Sequence, residues 1–171
     1  MLDNLLNDLV KQHAENAVVN NPSIPNEKNE STIGSITDGI LSGLKQQAVG
    51  GGLSNIIGML TKSGQVDETT SQNVQNSVID SLIGKLGIAK SAASNIAAQI
   101  VPATLGALSK NTADKNNKSF DLSNILSSLT GGKTDGMDIA GFVDKQFGNA
   151  DGKLDLGDLT SALGNFFGKK K

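Results

Sequence analysis

The sequence of 171 residues contains no cysteine, tryptophan or tyrosine, and only 5 phenylalanines. Without cysteine the protein forms no disulfide and carries no thiol chemistry, although this absence does not decide the cellular compartment. With so few aromatic side chains, the core must be built from Leu, Ile, Val and Ala, and such small side chains favour close contacts between helices. The 20 glycines are accordingly interpreted as helix ends and as points of close helix contact.

The chain also lacks a strong net charge and a long apolar run. The net charge is −2, so no overall field recruits nucleic acid or an anionic membrane surface. The most apolar stretch, residues 96–108, has 13 residues, which is too short to span the roughly 30 Å hydrocarbon layer of a bilayer. Polar residues interrupt the apolar N-terminus, so we expect no secretory signal there. We therefore expect a cytoplasmic protein with no transmembrane segment and no nucleic-acid partner.

Apolar residues recur at helical spacing, and no segment alternates with period 2 for long, which together predict an all-α fold. Pro22 and Pro25 follow the first helix and prevent it from continuing. Pro102 lies inside the fifth helix, where a proline costs on the order of 3 kcal/mol, so we expect a kink or break near residues 98–102. The predicted helices span about residues 2–19, 31–49, 53–61, 67–86 and 91–110.

Polar residues and glycines mark the ends of these helices. Ser31 or Thr32 is the predicted N-cap of the second helix, and Asp67 or Thr69 that of the fourth, because their side-chain oxygens can accept the free backbone N–H groups. Gly87 is the predicted C-cap of the fourth helix.

The C-terminal part of the chain repeats with a period of 17 residues. Units begin at Phe120, Met137 and Leu154, and the second residue of each is an aspartate. This pattern predicts an array of short helices, none of which buries its apolar face alone. The stretch LSNIIGMLT from Leu53 resembles LSNILSSLT from Leu122. We predict a multihelical domain over residues 1–110, a polar linker over 111–118 and a short-helix repeat segment over 119–171.

Several segments, in their order along the chain, resemble the YidB-like bacterial family, a domain of unknown function. They are MLDNLL at the start, NNPSIPNEKNE after the first helix, QNSVIDSLIGKLGI from Gln75, and IVPATLGAL followed by SFDLSNIL. The resemblance covers most of the chain, and NNPSIPNEKNE is its most distinctive part. The resemblance implies an all-helical bacterial protein. The family has no established activity, so it indicates no catalytic residues in this sequence.

Few residues are candidates for catalysis. His13 is the only histidine; it lies on the apolar face of the first helix, so we expect a partly buried side chain and not a base or a metal ligand. TGGKT at 130–134 ends like a phosphate-binding loop, but Ser127 replaces the first glycine of that motif and the preceding pattern is helical. A glycine C-cap and a turn are predicted there. The pairs Asp67–Glu68 and Asp155–Asp158 fall at predicted helix starts, which favour acids, so we predict no enzyme.

These observations predict a non-enzymatic structural or protein-interaction module with no cofactor. Short, glycine-punctuated amphipathic helices gain stability mainly by packing on neighbours. We therefore expect a protein partner or self-association, in a concentration-dependent oligomer that covers an apolar stripe of the first or last helices.

The alternative is a module that binds calcium at FGNADGKLDLGDL, residues 147–159. Position 1 of a calcium loop normally supplies a carboxylate oxygen, but Phe147 has none. The same stretch is typical of a helix start, with Leu154 and Leu159 in a hydrophobic staple around the cap. Because the pattern recurs at Asp121 and Asp138, where no calcium spacing exists, we favour the cap. In the calcium alternative the ligands are Asn149, Asp151, the backbone of Lys153, Asp155 and Asp158.

The two interpretations of this loop predict different responses to calcium. If Asp155 caps a helix, Asp155→Ala lowers the free energy of unfolding by about 1 kcal/mol, equally with calcium and with a chelator, as measured by chemical denaturation. The cap interpretation is wrong if calorimetric titration shows sub-millimolar calcium binding that Asp151→Ala abolishes.

Overall fold

A computed structural model describes residues 2–62, 64–114 and 116–136. Within these ranges the protein is all-helical, which confirms the predicted fold class for this part of the chain. The second and third repeat units and the predicted calcium loop lie outside the described residues. The α-helices are α1 (Leu2–Ala14), α2 (Asn29–Val49), α3 (Leu53–Thr61), α4 (Glu68–Leu86), α5 (Lys90–Ala113) and α6 (Leu122–Thr130).

The central element is α2, which packs against α1, α3, α4 and α6, while α5 packs against α1, α3 and α4. All six helices fall in one compact unit that extends to Asp135. The predicted division of the chain at residues 111–118 stays a prediction. The core is aliphatic, as the composition requires. Its largest fully buried side chains are Leu6, Ile36, Ile40, Leu44, Ile56, Ile57, Leu60, Leu82, Ile96, Ile100, Leu105 and Leu108.

Two aspartates cap helices in the way that the sequence predicts. Asp67 precedes α4, and its carboxylate accepts a hydrogen bond from the backbone N–H of Thr70 at 2.9 Å. Asp121 precedes α6 and accepts from the N–H of Asn124 at 3.0 Å. Each carboxylate satisfies a backbone donor that the helix itself cannot pair. At the other end of α4, Gly87 adopts the left-handed conformation with φ of 65°, which confirms it as the C-cap.

The predicted N-cap of α2 is wrong. This helix begins at Asn29, after a 3-10 turn over Asn26–Lys28, so Ser31 and Thr32 lie inside it. The Thr32 hydroxyl donates to the carbonyl oxygen of Lys28 at 2.8 Å, as a threonine does within a helix. The preceding Pro25 is the N-cap residue of the 3-10 turn and is extended, with φ of −60° and ψ of 139°, as residues just before a helical turn typically are.

The segment predicted as the first helix is helical over its whole length, first as an α-helix and then as a π-helix. The α-helix ends at Ala14 and a π-helix continues over Glu15–Val19, closed by the N–H of Asn20 and the carbonyl oxygen of Glu15 at 2.8 Å. The expectation of a partly buried His13 is wrong, because this side chain is exposed. The buried stripe of α1 continues from Val10 to Ala14 and leaves the imidazole in solvent.

Of the predicted kink or break at Pro102, the break is wrong, since α5 runs without interruption from Lys90 to Ala113, and the kink stays a prediction. Pro102 and Ala98 are both exposed, so water can hydrogen-bond the Ala98 carbonyl that loses its partner to the proline. On the opposite face Ile100 and Leu105 are fully buried. Packing on both sides of the proline therefore holds the helix together.

The backbones of α2 and α4 approach each other closely. A Cβ atom on Gly39 would lie 2.6 Å from Cα of Val78, and one on Gly43 would lie 2.9 Å from Cα of Val74. Residue numbers therefore rise along α2 as they fall along α4, so the two helices are antiparallel. Because the atoms in the way are backbone atoms, only residues without a side chain fit at these two positions. The predicted role of glycines as close-contact points is confirmed here.

Substitution of these glycines tests the contact. Gly39→Ala should lower the free energy of unfolding by about 1–3 kcal/mol, because the added methyl group overpacks the interface. Gly34→Ala is the matched control: it lies on the same helix with no neighbouring atom within 4 Å, so the better helix propensity of alanine should raise stability by up to about 1 kcal/mol. Urea denaturation followed by far-UV circular dichroism measures both. Equal effects of the two substitutions would contradict the contact.

Candidate functional site

The residues predicted as calcium ligands all lie beyond residue 136, outside the part of the chain that the structure describes. Among the described residues, no group of three or more His, Asp or Glu side chains converges in the manner of a metal site. The calcium alternative therefore stays a prediction. The residues concerned are Asn149, Asp151, Lys153, Asp155 and Asp158.

The TGGKT segment is a helix end followed by a turn, as predicted. Thr130 is the last residue of α6, and Gly131 has the left-handed φ of 65°. The N–H of Gly132 donates to the carbonyl oxygen of Ser127 at 2.9 Å, which uses a donor that a phosphate-binding loop would keep free. Because a helix and not a strand precedes the glycines, this segment lacks the context of a nucleotide site.

A polar groove with a volume of about 650 Å³ lies along the junction of α2 and α4. Gly39 and Gly43 lie at its base, where the two backbones approach each other. Every residue that lines it is polar or a glycine, so no large apolar side chain forms part of its lining. Its walls include Ser42 and Gln46 from α2, Asn73, Asn76 and Ser77 from α4, and Asn55 from α3.

Helix periodicity explains why the lining is polar. The residues of α2 that face the core, Ile36, Ile40 and Leu44, recur every four residues and are fully buried. Ser42 and Gln46 are also four apart but are rotated away from that stripe by half a turn. The core and the groove are therefore lined by different sets of residues. Gly39 and Gly43 lie at the boundary between these two surfaces.

The ionisable groups that line the groove gather at one end of it. Lys85 Nζ lies 2.6 Å from Asp38 Oδ2, and their side chains are 53% and 58% exposed. Such an exposed pair contributes about 0–1 kcal/mol. Because α2 and α4 are antiparallel, Asp80 lies near the level of Asp38. Asp80 forms no ion pair with any residue that the structure describes.

No charged residue lines the other end of the groove, but the carboxylate of Asp67 lies beside it in a hydrogen-bond network. The hydroxyl of Thr70, a fully buried residue, lies 3.2 Å from Gln47 Oε1 and also contacts the carboxylate of Asp67. The network joins the first turn of α4 to the last turns of α2. Gln47 lines the groove at this end.

Three buried side-chain atoms have no hydrogen-bond partner among the described residues: Asn29 Oδ1, Ser81 Oγ and Thr104 Oγ1. Unpaired buried polar atoms are costly and are often found at functional sites. Only Ser81 lines the polar groove, and it follows Asp80 in α4. Its hydroxyl oxygen is therefore an unused hydrogen-bonding group at the acidic end.

The apolar surface of the described residues is small. The exposed large hydrophobic side chains are Val19, Val49 and Ile83. The apolar stripe of α1 is buried within the unit, so it is not free to cover a partner. The last predicted helices lie outside the described residues, and the oligomer expected to form through the first or last helices stays a prediction. No helix in the described ranges combines the length and hydropathy needed to cross a membrane.

The sequence analysis did not single out the groove residues. The signal that would have found them is Gly39-x-x-x-Gly43, because two glycines one turn apart in the middle of a predicted helix indicate a close neighbour. The polar residues between the core positions of the second and fourth predicted helices would then have identified the walls.

Comparison of the chain with protein-family models, with curated proteins and with solved structures found no match. The groove must therefore be interpreted from its own shape and chemistry. The resemblance to the YidB-like family stays a prediction.

The unpaired hydroxyl of Thr104 allows a test of whether a buried hydroxyl without a hydrogen-bond partner destabilises the fold. Thr104→Val should raise the free energy of unfolding by about 1–3 kcal/mol, because it removes a buried hydroxyl without a partner and keeps the shape of the side chain. Thr70→Val, at an equally buried threonine whose hydroxyl is bonded, should lower it by a similar amount. Denaturation of the two variants measures this contrast. A loss of stability in both would show that Thr104 has a partner.

Proposed function

We propose that this protein is a non-enzymatic binding module that takes an extended polypeptide segment in the groove between α2 and α4. The observation that carries the proposal is the groove itself, formed where two helices meet at glycines and walled by hydrogen-bonding side chains. Its volume of about 650 Å³ falls within the range of roughly 300–1,000 Å³ that is typical of ligand sites.

The length of the groove supports an extended chain as the ligand. Along α2 it extends from Asp38 to Gly50, which corresponds to roughly 18 Å at about 1.5 Å per helical residue. An extended polypeptide advances by about 3.3 Å per residue. The groove therefore accommodates about five residues in this conformation.

The lining chemistry supports a peptide backbone and disfavours other ligands. The primary amides of Gln46, Asn55, Asn73 and Asn76 each offer a donor beside an acceptor, which complements the N–H and C=O groups of a peptide unit. Neither an aromatic face for stacking a sugar or a base nor an apolar pocket for a lipid tail is among the lining residues. Backbone hydrogen bonds are the main interaction that such a surface offers.

The same chemistry supports binding over catalysis. General acid–base catalysis needs a carboxyl group in an enclosed cleft, whereas Asp38 and Asp80 are exposed. The groove lining includes no histidine to pair with its serine hydroxyls as a base, and such pairing is what activates a serine nucleophile.

The remaining parts of the proposal rest on the sequence. The segments that resemble the YidB-like family support assignment of the chain to that bacterial family and, through that resemblance, a cytoplasmic location. We expect the bound segment to belong to a different protein. The alternative is a segment of a second copy of this chain.

Panning of a random library of linear pentapeptides tests the function. We expect the wild-type protein to enrich peptides whose affinity falls at least about tenfold, or about 1.4 kcal/mol, in Ser42→Arg, because the long side chain fills the groove. Ser31→Arg is the matched control: Ser31 is also an exposed serine of α2 but does not line the groove. Circular dichroism should show unchanged folding in both variants. Enriched peptides that bind Ser42→Arg as well as wild type would contradict the proposal.

A further inference from the structure

We propose that Asp135–Gly136 is a modification site at which the chain isomerises spontaneously to a β-linked isoaspartate. The proposal does not depend on the function of the groove. It follows from a comparison of two identical tripeptides, Thr-Asp-Gly, which the chain contains at residues 37–39 and 134–136. The structure gives the two aspartates different surroundings, and only the second is free to react.

The reaction takes place between the aspartate side chain and the backbone of the glycine. The amide nitrogen of the glycine attacks Cγ of the protonated carboxyl group, so that a C–N bond forms and the hydroxyl group leaves with the amide hydrogen as water. The product is a succinimide ring. Glycine favours this step because it has no side chain beside the attacking nitrogen.

Water then opens the ring at either of its two carbonyl carbons. Attack at Cγ breaks the new C–N bond and restores aspartate. Attack at the main-chain carbon breaks the bond between that carbon and nitrogen, and the chain stays linked through Cγ as isoaspartate. No oxidant, reductant or enzyme is required, so the local structure decides where the reaction occurs.

Asp135 and Gly136 have the freedom that ring closure needs. Both are exposed and lie in the turn that follows α6. Among the described residues, the Asp135 carboxylate has no ion-pair partner and the Gly136 N–H has no acceptor. Gly136 has a φ of 78°, a conformation that glycine adopts at no steric cost. The turn therefore requires the residue that also reacts most readily.

Asp38 and Gly39 have the same sequence but are held in the middle of α2. In an α-helix each backbone N–H donates to the carbonyl group four residues earlier, so the Gly39 nitrogen is not free to attack. Gly39 is buried, and a Cβ atom there would lie 2.6 Å from Cα of Val78. The carboxylate of Asp38 is paired with Lys85. Ring closure at this site therefore requires local opening of α2.

Isomerisation at Asp135 would change the main chain directly after the turn. The β-linkage adds one methylene carbon to the main chain and converts the main-chain carbonyl group into a free carboxylate, so the net charge is unchanged. The N–H of Asp135 donates to the carbonyl oxygen of Gly132 at 3.0 Å. The lengthened segment therefore begins just beyond the hydrogen bond that closes this turn.

Tryptic peptide mapping of the aged, full-length protein tests the proposal. Trypsin cleaves after lysine, so the two aspartates fall in different peptides, residues 29–45 and 134–145. After incubation of the folded protein at neutral pH, liquid chromatography separates the isoaspartyl peptides and electron-transfer fragmentation locates the isomer. We expect isoaspartate to form at least about tenfold faster at Asp135 than at Asp38, because a helix opening that costs about 1.4 kcal/mol already lowers the reactive population by that factor.

Two controls assign this difference to the fold. In denaturant, where neither tripeptide is held, the two peptides should isomerise at similar rates. Asp135→Glu should remove the isoaspartyl form of peptide 134–145, which would show that Asp138 and Asp144 in the same peptide do not cause it. Asp151–Gly152 falls in a third peptide, residues 146–153, and does not enter the comparison.

The proposal is overturned if the folded protein forms isoaspartate no faster at Asp135 than at Asp38, or if fragmentation places the isomer at another residue of peptide 134–145. A difference between the two peptides that persists in denaturant would also overturn it, because the neighbouring sequence and not the fold would then decide which aspartate reacts.

Discussion

The backbone contact between α2 and α4 at Gly39 and Gly43 is the constraint on which the rest of this unit depends. Because α2 also contacts α1, α3 and α6, its distance from α4 sets the space that every other helix fills. A chain without tryptophan or tyrosine and with only 5 phenylalanines has few large side chains with which to fill wide gaps between helices. It reaches native packing density by bringing backbones together, and glycine in the middle of a helix permits this at a cost of about 1 kcal/mol per residue.

The same contact creates two surfaces with different chemistry. On one side of it the aliphatic residues of α2, such as Ile36 and Ile40, are buried against their neighbours. On the other side the shallow polar groove opens to solvent. A substitution that separates the helices therefore changes core packing and groove width together. Substitutions at Ser42, which is exposed, change the groove alone. Binding can therefore be altered without a change in stability only by substitution of residues in the groove walls.

Much of the fold was predictable from the sequence, because local signals and tertiary packing agree there. The bounds of α3, the caps Asp67 and Gly87, and the buried face of α5 all follow from apolar spacing and turn chemistry. The failures at Thr32, His13 and Pro102 share one cause. In each case the neighbours of the residue decide whether its side chain caps, is buried or is tolerated, and spacing along one helix does not contain that information. The groove was missed because residues about 35 positions apart form it.

The comparison of α3 with α6 shows how two helices of similar sequence come to have different first turns. Their sequences, LSNIIGMLT and LSNILSSLT, both form nine-residue helices against α2. Asp121 caps α6, whereas α3 follows Gly52 and has no side-chain cap. Gly52 and Asn55 line the end of the groove that is distant from Asp38, so the uncapped, partially positive first turn of α3 adjoins that end. The Asp67 carboxylate, which caps α4, lies in the hydrogen-bond network at the same end, so backbone N–H donors and a carboxylate stand side by side there.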